Sequence, residues 1–484
     1  MTRLSELLPV LPDARLVGSG EQSVRKVEYW LGEVGPGDLY VAVPGAGPPG
    51  VDRVAGAIGA GAGVIVAQRL EGPPADGVSY VLVADPVKAM GRLVHALHGF
   101  PSRSLRVVGV TGTNGKTTTA ALLHRLFRGL GRPAGLLSNI GDYVNDEGGE
   151  ARYTTGPATY LAPMMAKMAV AGCEYCAMEV SSQSVAEDRI EGVAFDGAIF
   201  SNLTRDHLDY HGSMEAYAAA KKRWFDRLPA DAFALANLDD PLGVWMVRDT
   251  AARRLTYGRG EGADIRFRIA EETLRGLALE IDGRQVRARL VGTFNAYNIA
   301  AVYAAARELG LDPAGVAEVL AGLAPIEGRM QSIEAADGRL AVVDYAHSPD
   351  AVEKVLDHLR SARPAGARVL TVIGCGGGGD VGRRPIMAAV AAALSDRLIL
   401  TMDNPRLEDP DKIVADMAAG LDREALARTQ VVMDRREAIE AACALAGSGD
   451  IVLIAGKGCE RYQDIGGVRT PFDDAEVARA ALGL

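Results

Sequence analysis

Cysteine is scarce. Five thiols in 484 residues cannot frame a disulfide-stapled fold, so a reducing, cytoplasmic setting is expected. Basic charge is in deficit: 52 lysines and arginines face 62 acids, and the net charge of -10 argues against a general nucleic-acid partner. No apolar run approaches the roughly 18 residues of a membrane span. Pro9 and Pro12 interrupt the first apolar stretch too early for a signal peptide. No short-period repeat recurs. The 57 glycines are scattered, which reads as the turns of an α/β protein rather than low complexity. At about 100–200 residues per domain the length allows two to four domains.

The chain is organised around Gly112-Thr113-Asn114-Gly115-Lys116-Thr117-Thr118. The apolar run 107–110 enters this stretch and helical spacing over 120–127 leaves it. Strand, glycine loop and helix in that order aim backbone N–H groups at phosphate, and the helix N-terminus favours negative charge. Lys116 can reach β- and γ-phosphates, and Thr117 can place a hydroxyl on Mg²⁺. The loop is shorter than the common G-x-x-x-x-G-K-[ST], because position 110 is Val.

Before the loop, residues 38–43, 64–67 and 80–83 read as short strands, residues 87–97 as a helix and 101–104 as a linker. After it, the apolar run 175–180 ends in Glu179 and Ser181-Ser182. The run 197–203 leads to Asp206-His207. Parallel strands deliver polar residues at their carboxyl ends, beside the phosphate loop, so Glu179 and His207 are candidate metal ligands. Cys173 and Cys176 form a C-x-x-C without a partner pair and are expected in the core. Asn295 and Asn298 share a face of one helix. Near the C-terminus, residues 342–347 and 368–373 read as strands. The second runs into Gly374-Cys375-Gly376-Gly377-Gly378-Gly379, which fits G-x-G-x-x-G, with Asp403 at the next strand end. A lone match of this kind is a weak signal for NAD. A nucleotide-binding regulator or NAD-dependent oxidoreductase is therefore the last-ranked alternative.

Several motifs in order resemble the Mur ligase family, ATP-dependent enzymes that build the peptidoglycan stem peptide. They are Thr111-Gly112-Thr113-Asn114-Gly115-Lys116-Thr117-Thr118, Met178-Glu179-Val180-Ser181-Ser182, Asn202-Leu203-Thr204-Arg205-Asp206-His207-Leu208-Asp209-Tyr210-His211-Gly212, Gly328-Arg329-Met330, Asp344-Tyr345-Ala346-His347-Ser348-Pro349-Asp350, Asp403-Asn404-Pro405-Arg406 and Gly456-Lys457-Gly458. The similarity is strong from about residue 105 onward and is nearest to the branch that adds the third residue.

The resemblance implies an α/β protein of three domains. These are a uridine-nucleotide-binding domain (1–104), a central P-loop ATPase with a parallel sheet (105–329) and a Rossmann-like domain that receives the amino acid (330–484). It implies ATP and Mg²⁺ as cofactors, with UDP-N-acetylmuramoyl-dipeptide and meso-diaminopimelate as substrates. Residue by residue, it makes Gly112, Thr113, Asn114, Gly115, Lys116, Thr117, Thr118, Asn295, Arg329 and Asp344 the ATP site. Thr117, Glu179, His207 and a carbamylated Lys221 become metal ligands, with Lys116, Lys221 and His207 catalytic. Thr154, Thr155, Ser181 and Arg189 contact the nucleotide-dipeptide. Arg384, Asp403, Asn404, Pro405, Arg406, Gly456 and Glu460 hold the amino acid. Oligomeric state is not readable from the residues; a monomer is expected.

The sequence departs from the family pattern in places. Trp30-Leu31-Gly32 stands where Asp-Ser-Arg helps hold uridine. Glu187 replaces Gln, Gln183 and Cys459 each replace a His, and Gly378-Gly379 replaces Asp-Arg. A Mur-like amide ligase with another amino acid or a non-UDP substrate is the first alternative. Diaminopimelate is expected over L-lysine, because its extra carboxylate needs a cation and Arg406 offers a guanidinium fork, with Arg384 as a second cation and Glu460 for the ammonium.

Overall fold

Short β-branched runs become buried strands. In the computed structural model, which describes residues 2–45, 53–70 and 72–484, the run Val64–Ala67 pairs in parallel with Leu39–Val41 and with Ser79–Leu82. Val27–Glu28 and Arg15–Val17 complete a five-stranded sheet. The helix Pro86–Leu97 starts where the Asp85 carboxylate accepts from the N–H groups of Val87 and Lys88, with proline in the first turn. It lays Ala89, Met90, Leu93 and Val94 onto the sheet residues Leu39, Val41, Val64 and Val66.

The chain forms two compact units, Met1–Gly109 with Gly131–Ala198, and Val110–Leu130 with Ile199–Leu484. The first unit also contains the parallel pair Ala134–Ser138 and Tyr175–Glu179. Cys173 and Cys176 are buried there outside any disulfide, and among the described residues no group of three His, Cys, Asp or Glu is arranged to hold a metal. Residues 101–104, read as a linker, form a short 3₁₀ turn.

In the second unit, Phe233–Asn237, Arg253–Gly258 and Ile265–Thr273 run parallel. Gly276–Ile281 and Arg284–Ala288 then continue the sheet antiparallel. Further on lies a six-stranded sheet in the order Gln331–Glu334, Leu340–Asp344, Ile451–Ala455, Val369–Ile373, Arg397–Leu400, Thr429–Val431, parallel except at its first strand. Apolar clusters cover both faces, as a parallel sheet requires. The carboxyl ends of its strands gather Asp344, Gly374, Thr401 and Gly456 on one edge, which is where open α/β sheets bind ligands. Among the described residues no helix is long and apolar enough to cross a membrane.

Candidate active site

The strand Arg106–Thr111 ends at the glycine loop, and the helix Lys116–Gly129 begins at its lysine. Gly115 has φ +87°, and a Cβ there would come within 2.5 Å of Asn298 Oδ1, so the turn demands glycine twice over. Lys116 Nζ donates to the carbonyls of Gly112 (2.9 Å) and Thr113 (2.8 Å). Asn114 is held on three sides. Its N–H donates to Asn202 Oδ1, its carbonyl accepts from Ser201 Oγ and Asn202 Nδ2, and its Nδ2 donates to Asp350 Oδ2 at 2.8 Å. Thr113 Oγ1 meets the Thr204 backbone and the Tyr217 hydroxyl, and Thr117 and Thr118 are buried.

Lys221 and Lys222 are adjacent lysines, yet both are buried. Lys221 is 1% exposed, its Nζ donates to Gly112 O (3.1 Å) and Thr111 Oγ1 (3.3 Å), and it lies 4.7 Å from the Tyr217 ring centroid. Lys116 and Lys221 thus converge on one carbonyl. Burial, reinforced by the Lys116 charge, drives the Lys221 amine well below its usual range. His207 sits in the left-handed region, φ +53°. Desolvation lowers its pKa, with Lys116 and Lys221 adding and Asp206 opposing. A neutral imidazole is the form that binds metal. Asp206 draws in three cationic or imidazole groups: Arg383 at 3.3 Å, His207 at 3.6 Å and His347 at 4.0 Å.

Asn295 and Asn298 lie on the helix Thr293–Glu308 as spacing predicts, but neither caps it. Asn298 Nδ2 donates to Asn295 Oδ1, Asn295 Nδ2 to Val291 O, and Asn298 Oδ1 accepts from Thr119 in the phosphate-loop helix. Arg329 Nη2 donates to Thr117 Oγ1 at 3.1 Å while its guanidinium lies 4.2 Å from the Tyr345 ring centroid. Asp344 accepts from the N–H groups of Met330 and Ala346; burial raises its pKa, against the pull of Arg329.

Asp403, Asn404, Gly456 and Glu460 come together around a residue outside the expected set, Lys457. Its fully buried Nζ donates to Asn404 Oδ1 (2.8 Å) and lies 3.7 Å from Asp403 and 3.6 Å from Glu460. Asn404 Nδ2 donates to Glu460 Oε2 at 2.7 Å. Burial, then the Asp403 charge, pushes the Glu460 pKa up. Arg406, after Pro405, takes a left-handed φ of +55° and keeps its side chain exposed. Its backbone is fixed by Asp464 O and the Gly466 N–H. Arg384, expected as the second cation, is buried and matched by Glu408 (2.8 Å) and Asp416 (2.9 Å). Those carboxylates occupy the fork that a substrate would need.

The dinucleotide reading of the 374–379 glycines loses its basis here. A Cβ on Gly377 would sit 2.1 Å from Pro405 O, so the close approach of the 403–405 turn explains that glycine. The following helix opens only at Arg383.

In the other unit, Thr155 Oγ1 donates to Glu179 O and accepts from the Ser181 N–H, and Arg189 Nη1 donates to Thr155 O. Three of the four residues expected to contact the nucleotide-dipeptide are therefore knit together, with Thr154 adjoining. Glu187 pairs with Arg189 at 2.6 Å, so that departure from the family adds a neutralising charge. Glu179 Oε1 accepts from Ser138 Oγ and the Asn139 N–H. Trp30 is exposed, and the backbone N–H groups of Tyr29 and Trp30 donate to the Glu28 carboxylate.

Asn202, Asp350 and Lys457 were the positions missed. Each lies inside a motif quoted above, but only the folded chain shows that their side chains brace the loops beside them.

This geometry has counterparts. Residues 110–306 match the Mur ligase middle domain, and residues 328–458 match the Mur ligase glutamate ligase domain. The chain is 45% identical over 476 residues to the UDP-N-acetylmuramoyl-L-alanyl-D-glutamate--2,6-diaminopimelate ligase of Parabacteroides distasonis, covering 98% of each. It is 42% identical to the same-named ligase of Bacteroides fragilis, over 100% of this chain and 99% of that one. A solved structure of a ligase of that name superposes with a TM-score of 0.71 at 32% identity, over 100% and 99% of the two chains. A phosphate loop on which two lysines converge, in a sequence that aligns over 98–100% of its length with these relatives, leaves one conclusion: the chain belongs to the Mur ligase family.

Proposed function

We propose that this enzyme adds meso-diaminopimelate to UDP-N-acetylmuramoyl-L-alanyl-D-glutamate, using ATP and an acyl-phosphate intermediate, in cytoplasmic peptidoglycan synthesis. The observation that carries the chemistry is the convergence of Lys116 and buried Lys221 on Gly112 O. The substrate carboxylate attacks the γ-phosphorus and ADP leaves. The incoming amine then adds to the acyl carbon, and the tetrahedral intermediate expels phosphate. Both partners of the first step are anions. Lys116 and the N–H groups opening the Lys116–Gly129 helix supply positive charge where the transferring group develops negative charge.

Mg²⁺, when bound, would supply positive charge against the phosphate groups. Thr117, Glu179, His207 and a Lys221 carbamate are its proposed ligands. Two of these donors, the Glu179 carboxylate and the carbamate, are anionic oxygens of the kind Mg²⁺ takes. Carbamylation needs an unprotonated amine, which adds to CO₂ and releases a proton. The depressed pKa of Lys221 supplies that amine. The modules 1–104, 105–329 and 330–484 are part of the same proposal, with uridine binding assigned to the first.

At the acceptor site, Arg406 is the proposed partner of the distal carboxylate and Glu460 that of the ammonium. Exposed Trp30, in place of the expected uridine motif, favours a second reading in which the nucleotide end differs. Phosphate release with UDP-N-acetylmuramoyl-dipeptide and a panel of amino acids tests both readings. Diaminopimelate should outcompete L-lysine, and Arg406→Ala should erase the preference. A wild-type preference for lysine rejects the acceptor assignment; no turnover with the UDP substrate rejects the first reading.

A further inference from the structure

Arg435 is one of the largest fully buried side chains, and none of the chemistry above uses it. It opens the helix Arg435–Leu445, and Asp474 opens the last helix, Asp474–Ala481. The two meet as a bidentate pair, Nε to Oδ1 at 2.8 Å and Nη2 to Oδ2 at 2.7 Å, with both side chains 0% exposed. Such a pair is a weak source of stability, because desolvation offsets most of the attraction. Its other contacts are more telling. Arg435 Nη2 also donates to Ala455 O at 3.0 Å, and Nη1 reaches Met402 O at 3.4 Å. Those carbonyls belong to the residues directly before Gly456 and Asp403.

Gly456 and Asp403 approach each other closely: a Cβ on Gly456 would lie 2.4 Å from Asp403 Oδ2. Their relative placement therefore depends on how the ends of two non-adjacent strands are held. The sheet order puts Val369–Ile373 between Ile451–Ala455 and Arg397–Leu400, so no ladder hydrogen bond joins them directly. Arg435 spans that gap with one planar group. A guanidinium can do this because its five donors are fixed in a planar fork, whereas an ammonium has only three for these four oxygens. The charge of Arg435 also interacts with those of Asp403 and Glu460, adding to Lys457 a second buried positive charge in the same region.

We propose that Arg435, oriented by Asp474, is a positioning residue for the incoming amino acid: it sets the distance between Asp403 and Gly456 and balances the charge of Asp403 and Glu460. This rests on the acceptor site assigned above. The single change Arg435→Met would leave Asp474 buried and unpaired, so the test uses Arg435→Lys, which keeps the charge, and the double variant R435M/D474L, which removes both charges together. Wild-type amino-acid preference is measured first, and the KM of the preferred amino acid is then followed. A preference for lysine overturns the acceptor assignment without touching the role of Arg435.

In both variants the KM for the amino acid should rise by about tenfold to a hundredfold, the usual cost of a misplacement near 1 Å. The KM for ATP and the thermal midpoint should stay near wild type. Arg435→Lys should lose less than the double variant, since it retains the charge. If the KM for the amino acid is unchanged in both folded variants, or moves in step with the KM for ATP, Arg435 is only a packing element and the proposal is wrong.

Discussion

Lys221 shows how much a single position can depend on burial. In water its amine would be protonated and inert toward CO₂. In the folded chain it is sealed beneath the phosphate loop, beside Lys116 and the Tyr217 ring, and its pKa falls for want of solvent and for proximity to another cation. Lys221→Ala should therefore abolish turnover, and a small carboxylate such as acetate should restore part of it by standing in for the proposed carbamate. Complete loss with no rescue at any acetate concentration would argue that the amine itself is used. Lys116 is different in kind, because it contributes a charge rather than a reactive group. Lys116→Ala should lower phosphate release by more than about a hundredfold, the scale of removing a principal transition-state partner. Near-normal turnover in that folded variant would overturn the phosphate-loop assignment.

At the scale of elements, the helix Pro86–Leu97 carries a testable cost. His95 is 0% exposed, and its two ring nitrogens have no hydrogen-bond partner among the described residues. Burial, with a smaller contribution from His98, pushes its pKa down from 6.5 to about 4. Between those values the unfolded chain binds a proton that the folded one excludes. Stability is thus unaffected above about pH 6.5, falls as pH drops toward 4, and levels off below, a difference on the order of 3 kcal/mol. The drop in thermal midpoint from pH 7 to pH 5 should be smaller in His95→Gln than in wild type; equal drops would show that His95 does not titrate in this way. This helix was plain in the sequence, as were Val64–Ala67, Val369–Ile373 and the loop before Lys116–Gly129, because each couples a clear apolar period to a capping or turn signal. The strands from Ile265 to Ala288 were not. Their alternation breaks at the bulge between Ile269 and Glu271, where Ala270, Glu271 and the half-buried Glu272 follow in a row. Site residues that follow a strand end were legible for the same local reason. Their braces, such as Asn298 under Gly115, were not, because what fixes them is contact across the fold.

The largest scale at which the second unit can be tested is the link between its phosphate loop and its six-stranded sheet. Asn114 and Asp350 are separated by 236 positions, yet the amide of one donates to the carboxylate of the other at 2.8 Å. Thr204 Oγ1 reaches the same oxygen at 3.4 Å, and Lys354 pairs with it at 2.9 Å. Arg383 to Asp206, Arg205 to Asp380 and Arg329 to Thr117 run in parallel with that contact. The Arg205–Asp380 pair is half-exposed and, at 3.5 Å, contributes little on its own. Asp350 is the one that grips the loop itself. Its position in the first turn of the helix Pro349–Ala362 is fixed by the Ser348 cap, whose hydroxyl accepts from the Ala351 N–H, so the carboxylate is presented rather than free to wander. Removing it leaves Asn114 held only through its backbone. A hydrogen bond to a charged group contributes about 1.5–3 kcal/mol, and Lys354 will recover part of that by turning to solvent. Asp350→Ala should therefore raise the KM for ATP by about threefold to thirtyfold, with a smaller change in the KM for the amino acid and a thermal midpoint near wild type. Asp350→Asn keeps an acceptor for Asn114 and should fall between the two. The measurement is steady-state phosphate release with ATP varied and the other substrates saturating. An unchanged KM for ATP in Asp350→Ala would mean that the loop holds its shape without the sheet.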